Sequence, residues 1–325
     1  MRAAVQHEFG PVESVRTDEF PTPVAAAGEV LVRVHVAGVN FADVGMVTGT
    51  ARRKEPPFVP GVEAAGVVAG LGEGVDGLNL GQRVVYWHPL PGAFAEFAAV
   101  PAWRVVPIDD GVSDDVAVAL MVQGTTAHYL ACDSFDLEAG RTCLVYAAAG
   151  GVGHLLVQIA VARGARVLAI VGSEEKVALA RRLGADVVIN RGERDVLEAV
   201  REATGGEGVD VVYDAVGAAT IEQSIAATKR RGTCVLFGAA SGPVTMLDTT
   251  LLQRAGSIFF TRPGLGDHMR DHAEYEWRMK DLFAWHRKGE LTPHFGGEWG
   301  LDGVPVALAQ MAAGQTTGKL LIRPS

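Results

Sequence analysis

Residues 142–163 constrain the fold of this chain more than any other stretch. A short apolar strand, Thr142–Tyr146, runs into Ala147-Ala148-Ala149-Gly150-Gly151-Val152-Gly153, and a helix with one apolar face follows over Gly153–Arg163. Aligned on Gly150 and Gly153, the loop is a GxGxxG pattern with Ala148 in place of the first glycine. Gly150 would let the backbone approach a pyrophosphate, and Gly153 would let the helix pack close to the strand. Gly151 and Val152 open the helix, whose N–H groups and dipole would favour an anion. A glycine-rich run alone also marks an ordinary turn. Here a second strand, Arg166–Val171, completes the setting the motif requires, and the expected ligand is a dinucleotide.

The alternation continues downstream. Helices are expected over Glu174–Leu183, Arg194–Thr204 and Thr220–Lys229, and strands over Ala185–Ile189, Val209–Tyr213, Thr233–Phe237 and Ser257–Thr261. Strands alternating with helices of about ten residues indicate βαβ units and a doubly wound parallel sheet. The first third reads differently. Glu29–Val39 alternates apolar and polar residues at period two, and Val62–Gly70 and Gln82–Tyr86 are short strands set among glycines, the pattern of a barrel or sandwich. After residue 262 come a polar helix, His268–Lys288, and a terminal strand, Lys319–Ile322. This segment lacks the α/β rhythm and is expected to rejoin the first domain. The length of 325 residues suits two domains. The expected α/β organisation is therefore a β-rich domain over 1–120, the doubly wound domain over 121–262 and a return over 263–325.

Composition narrows the partners. The sum of 29 basic and 38 acidic residues is −9, the wrong sign for a polyanion-binding surface, so nucleic acid is not an expected partner. The three cysteines, Cys132, Cys143 and Cys234, form no CxxC pair and no disulfide framework, which suits a reducing compartment. The first thirty residues lack a basic stretch followed by an apolar one, and apolar runs such as Val116–Val122 are too short to span a bilayer. The expectation is a cytoplasmic protein without a membrane partner.

Beyond the loop, the chain resembles the medium-chain dehydrogenase/reductase superfamily, in its zinc-independent NADPH:quinone oxidoreductase (zeta-crystallin-like) branch. The resemblance is carried by Gly38-Val39-Asn40-Phe41-Ala42-Asp43, Pro60-Gly61-Val62-Glu63-Ala64-Ala65-Gly66, Gly81-Gln82-Arg83-Val84, Gly124-Thr125-Thr126-Ala127, Ala147–Gly153, Val212-Tyr213-Asp214-Ala215-Val216-Gly217, Phe237-Gly238 and Thr261-Arg262-Pro263. It implies a GroES-like β-barrel domain, a Rossmann domain and a cleft between them for nicotinamide and substrate. It also implies cofactor contacts at Asn40, Thr126, Tyr129, Val216, Phe237, Gly238 and Ala239, and a homodimer paired through Rossmann edge strands, here Ser257–Thr261.

Zinc-dependent relatives place a Cys, a His-Glu pair and a later Cys or Asp around the metal. This chain has Asn40 at the first position and Val62 where the His would stand, so no metal is expected. His268 and His272 are spaced for one face of a helix, where a solvated face is the expected reading. Asn40 resembles the family's asparagine near the nicotinamide ribose and is the candidate catalytic residue; by itself it reads as a turn residue ending a strand. Trp87 and His88 follow a strand and are candidates for the acceptor pocket, and Tyr129 reads equally as core packing. Close relatives carry tyrosines where this chain has Gly45 and Ala51, which should reshape the acceptor pocket.

Cofactor choice is legible at the second strand. An NAD-binding unit ends that strand in Asp or Glu to hold the ribose 2′-OH, whereas this chain has Ile170-Val171-Gly172-Ser173. Gly172 and Ser173 leave room for a 2′-phosphate, with Lys176 one turn on and Arg191 after the third strand to hold it. Glu174 and Glu175 suit the first turn of a helix capped by Ser173, or Glu174 turns inward to NAD. NADPH is the expected cofactor. The expected activity is reduction of a quinone or similar electron-poor conjugated carbonyl. The rivals are an enoyl-thioester or alkenal reductase on the same fold and a non-catalytic, crystallin-like NADPH-binding protein.

Overall fold

The computed structural model describes residues 1–324. Its contacts form two units. One comprises Met1–Thr125, Met269–Arg287 and the chain from Pro293 onward; the other comprises Thr126–His268 and Lys288–Thr292.

The second unit is built on six parallel strands. Their spatial order is Val187–Asn190, Arg166–Val171, Thr142–Val145, Val209–Asp214, Thr228–Leu236, Phe259–Thr261, which is order 3-2-1-4-5-6 in the chain. Val167–Val171 and Cys143–Val145 are buried throughout, as continuous apolar strands covered on both faces must be. Helix Gly151–Ala162 buries Leu155, Leu156 and Ile159, each worth about 1.5–3 kcal/mol on transfer from water.

One expectation fails here. The strand expected over Thr233–Phe237 begins at Thr228, and the preceding helix stops at Ala227. Lys229, the expected helix end, lies with Arg230 and Arg231 in a bulged strand. Arg231 takes φ 56°, the register with Val209–Asp214 shifts, and Lys229 pairs with Asp210.

The first unit contains a seven-stranded sheet. The order is Phe295–Gly300, Lys319–Arg323, Glu29–Val39, Glu63–Leu71, Arg83–Trp87, Val105–Pro107, with Phe97–Pro101 also paired to Glu29–Val39. Along Glu29–Val39 the burial alternates at first and then becomes continuous from Val36. The cause is Lys319–Arg323, which comes back to pair with Ala37–Val39. Strand Phe295–Gly300 escapes sequence reading because three of its six residues are glycine. Helices Phe41–Thr48 and Val304–Ala312 were also not anticipated. The expected helix over His268–Lys288 is shorter, His272–Arg287, because Leu265–His268 forms a separate 3-10 turn. His268 and His272 therefore do not share a helix.

Candidate functional site

In the sheet of six parallel strands, the order reverses between Thr142–Val145 and Val209–Asp214, and the glycine loop leaves the sheet at that point. Ala147 takes φ 51° and its carbonyl accepts the Gly150 N–H at 2.8 Å. A Cβ at Gly153 would fall 2.9 Å from Ala148 Cα and closer still to the Ala147 carbonyl oxygen, so only glycine fits. Gly150 caps the helix with extended backbone, and the first-turn N–H groups of Gly151, Val152 and Gly153 have no place in the helical ladder. Such a helix N-terminus favours an anion.

At the end of Arg166–Val171, the Arg191 side chain lies against Gly172. A Cβ at Gly172 would sit 3.4 Å from Arg191 Nε and 3.6 Å from one terminal nitrogen. Lys176, half-buried, has its pKa lowered, first by burial and further by Arg191, while Glu175 opposes the shift. Two cations thus act on each other across the position where an NAD-binding strand would carry an acid. The expected cap is not formed: the Ser173 side chain makes no capping hydrogen bond. Its neighbours Glu174 and Glu175 are exposed in the helix's first turn.

Across the reversal point the loops are pinned by Asp214, a residue the sequence reading did not single out. It is fully buried. Its Oδ1 accepts from the Val216 and Gly217 N–H groups and the Thr220 hydroxyl, and its Oδ2 accepts from Ser224 Oγ at 2.6 Å. The Asp214 carbonyl accepts from Phe237 and Gly238 N–H. Val216, Phe237, Gly238 and the adjoining Ala239 are thereby held as one ridge. The available signal was an acid ending an apolar strand. Thr126 and Tyr129 are buried, and the Tyr129 ring stacks on His268 with centroids 4.2 Å apart. His268 in turn approaches Asp133 at 3.1 Å.

In the other unit, Asn40 ends Glu29–Val39 and precedes Phe41–Thr48. Its N–H donates to Asp43 Oδ2 at 2.7 Å, and its Nδ2 donates to Glu63 Oε1 at 2.6 Å. Only 6 % of Asn40 is exposed. Trp87 and His88 part company. Trp87 stacks on Tyr275, with the Arg104 guanidinium 5.2 Å from its ring centre. His88 lines a cavity of about 150 Å³ with Phe20, Lys54, Tyr86 and Leu90, whose lining includes neither Trp87 nor Asn40. Burial, then Arg104, pushes His88 down to about 4.

A zinc ion finds no ligand set around Asn40. Val62 offers no donor, and Glu63 is committed to Lys319, Asn40 and the Val122 N–H. Among the described residues, no three His, Cys, Asp or Glu side chains are placed to hold a metal. No helix among them is long and apolar enough to cross a membrane.

Sheet order, glycine cradle and paired cations together define a dinucleotide-binding fold of the Rossmann class. Comparison with known proteins refines this. The family model described as "Alcohol dehydrogenase GroES-like domain" matches residues 26–110, and that described as "Zinc-binding dehydrogenase" matches 151–283. A 2-haloacrylate reductase from Burkholderia is 36% identical, over 99% of this chain and 98% of its own. A quinone oxidoreductase from Salmonella typhimurium is 38% identical, over 86% of this chain and 85% of its own. The crystal structure of Escherichia coli quinone oxidoreductase complexed with NADPH superposes with a TM-score of 0.97 at 32% identity, covering all of both chains. The chain belongs to the medium-chain dehydrogenase/reductase superfamily, in its quinone oxidoreductase branch, with a GroES-like and a Rossmann domain.

Proposed function

We propose that this protein is a zinc-independent reductase that uses NADPH to reduce a quinone or another electron-poor conjugated carbonyl. The observation that carries the reading is the Arg191 guanidinium against Gly172, where an NAD-specific strand would end in an acid, with the Lys176 charge near enough to be felt by Arg191. Structural likeness to an NADPH complex supports it. When bound, NADPH supplies the hydride. The helix N-terminus at Gly151–Gly153 holds the pyrophosphate, and Arg191, Lys176 and Ser173 take the 2′-phosphate. The ridge Val216–Gly217 and Phe237–Ala239, with Thr126 and Tyr129, shapes the remaining cofactor surface. Asn40 orients the reacting groups, with Trp87 and His88 as acceptor-side candidates. With Asn40 and Val62 in place of metal ligands, no Lewis acid activates an alcohol, so the residues suit positioning rather than alcohol oxidation.

A second reading, reduction of a conjugated C=C bond in a smaller acceptor, has its own support. A Cβ at Gly45 would lie 3.1 Å from Ala51 Cβ and 3.4 Å from Thr50 Oγ1, so the two small residues sit side by side where larger rings would have to displace this packing. The 2-haloacrylate reductase relative points the same way. We place the protein in the cytoplasm, where its free cysteines would stay reduced, and expect a homodimer. The deciding experiment follows NADPH consumption with quinones, enals, enoyl thioesters and 2-haloacrylates. Turnover of quinones supports the first reading, and turnover confined to alkenes the second. Tight NADPH binding with no turnover would leave a non-catalytic binding protein.

A further inference from the structure

We infer that Lys319 and Glu63 are positioning residues for the reduction: their buried ion pair fixes which way round the Asn40 amide sits. The inference rests on the reading of Asn40 given above. Antiparallel pairing sets Leu320 opposite Val39 and Leu321 opposite Gly38, so Lys319 enters across from Asn40. Lys319 and Glu63 are both fully buried, with their charged ends in contact. Glu63 Oε1 also accepts from Asn40 Nδ2 at 2.6 Å, and Oε2 accepts from the Val122 N–H at 2.8 Å. On the other side of the amide, Asn40 Oδ1 faces Gln123 Nε2 at 3.4 Å and Lys319 Nζ at 3.5 Å. The amide nitrogen thus meets acceptors and the amide oxygen meets donors. An amide is nearly symmetrical in shape, so polar neighbours decide between its two orientations.

The backbone is cleared for this pair. A Cβ at Gly38 would lie 2.5 Å from Glu63 Oε1 and 2.6 Å from Lys319 Nζ. Gly38 does not have positive φ, so space rather than conformation calls for glycine. Burying two charges seldom adds stability over an apolar pair of the same volume. Orientation of Asn40 gives this pair a role that stability does not.

The test is the double variant Glu63→Gln with Lys319→Met, made in the full chain. The Val122 N–H will hold the oxygen of the introduced amide, which therefore presents its NH₂ to Asn40 and favours the flipped orientation. The expected result is an NADPH dissociation constant within about twofold of wild type and a kcat at least about tenfold lower, the scale of one well-formed polar contact. Asn40→Ala should lose a similar factor, and adding it to the double variant should cost nothing more. A double variant with wild-type kcat, or losses that multiply, would overturn the inference while leaving Asn40 its role. Wild-type turnover in Asn40→Ala would remove the role of Asn40 and this inference with it. If the double variant does not fold, Gly38→Ala, which keeps both charges but wedges them apart, carries the same comparison with the same outcomes.

Discussion

The Arg191 guanidinium lies against Gly172, close enough that a Cβ on the glycine would meet its Nε at 3.4 Å. The two residues come from neighbouring parallel strands: Gly172 follows Arg166–Val171 and Arg191 follows Val187–Asn190. A Cβ at 172 would only touch the guanidinium, but an acid there would pair with it and repel phosphate. The glycine and the arginine therefore act as one device, although they are separated in the chain.

That device sets the first prediction. Charged hydrogen bonds contribute about 1.5–3 kcal/mol when shielded, and this site is partly wet. Lys176→Ala with Arg191→Ala should weaken NADPH binding by about 2–4 kcal/mol, or roughly 30- to 1000-fold. NADH affinity should barely move. Titrating both cofactors against both proteins checks this; equal loss of both, or a wild type that prefers NADH, would place the phosphate elsewhere.

The nucleotide half was legible because its signals are local. The strand, the loop Ala147–Gly153 and the helix are contiguous, and the absent acid after Val171 is read from one position. The barrel half was less so, because its relationships are long-range. Nothing near Lys319 in sequence says that a lysine opening an apolar strand will be buried against Glu63, 256 residues away. Trp87 and His88 are adjacent in sequence, yet Trp87 stacks on Tyr275 while His88 lines a cavity with Tyr86; neighbours along an extended chain point to opposite faces. Arg230 and Arg231 hid a strand because bulges are a property of the pair of strands, not of one.

Metal content gives a second prediction. Purified protein should carry well under about one zinc per chain, since a tetrahedral site needs three or four donors and Asn40 and Val62 supply none of the usual kind. Elemental analysis measures this directly, and treatment with chelator should leave turnover intact. Stoichiometric zinc, or loss of activity on chelation, would contradict the zinc-independent reading.

Phe259–Thr261 is the outer strand of its parallel sheet, and Phe259 is 65% exposed there. An apolar edge left open invites association, and pairing with a second copy would cover it. Light scattering at micromolar concentration should report a dimer. Phe259→Lys, which places like charges on both copies, should shift the protein toward monomer without changing NADPH affinity. A monomeric wild type would end the proposal.

Asp43 supplies the last prediction, a pH dependence of stability. Its side chain is fully buried, and desolvation pushes its carboxyl from 3.8 up to about 7, with Glu63 adding to the rise. The Asn40 N–H, Lys319 and Arg53 pull the other way and do not win. The folded protein therefore binds a proton that the unfolded chain releases near pH 4. Stability from this group is full below about pH 4, declines as pH rises and levels off above about pH 7, a loss on the order of 4 kcal/mol at 1.36 kcal/mol per pKa unit. Asp43→Asn removes the titration but keeps an oxygen to accept the Asn40 N–H. Urea unfolding of wild type and variant at pH 5 and pH 8 isolates the effect, because groups that do not interact with Asp43 cancel in the difference. The variant should gain about 2 kcal/mol on wild type between the two pH values. A difference that does not change with pH would mean that Asp43 stays ionised, with Lys319 and Arg53 outweighing its burial.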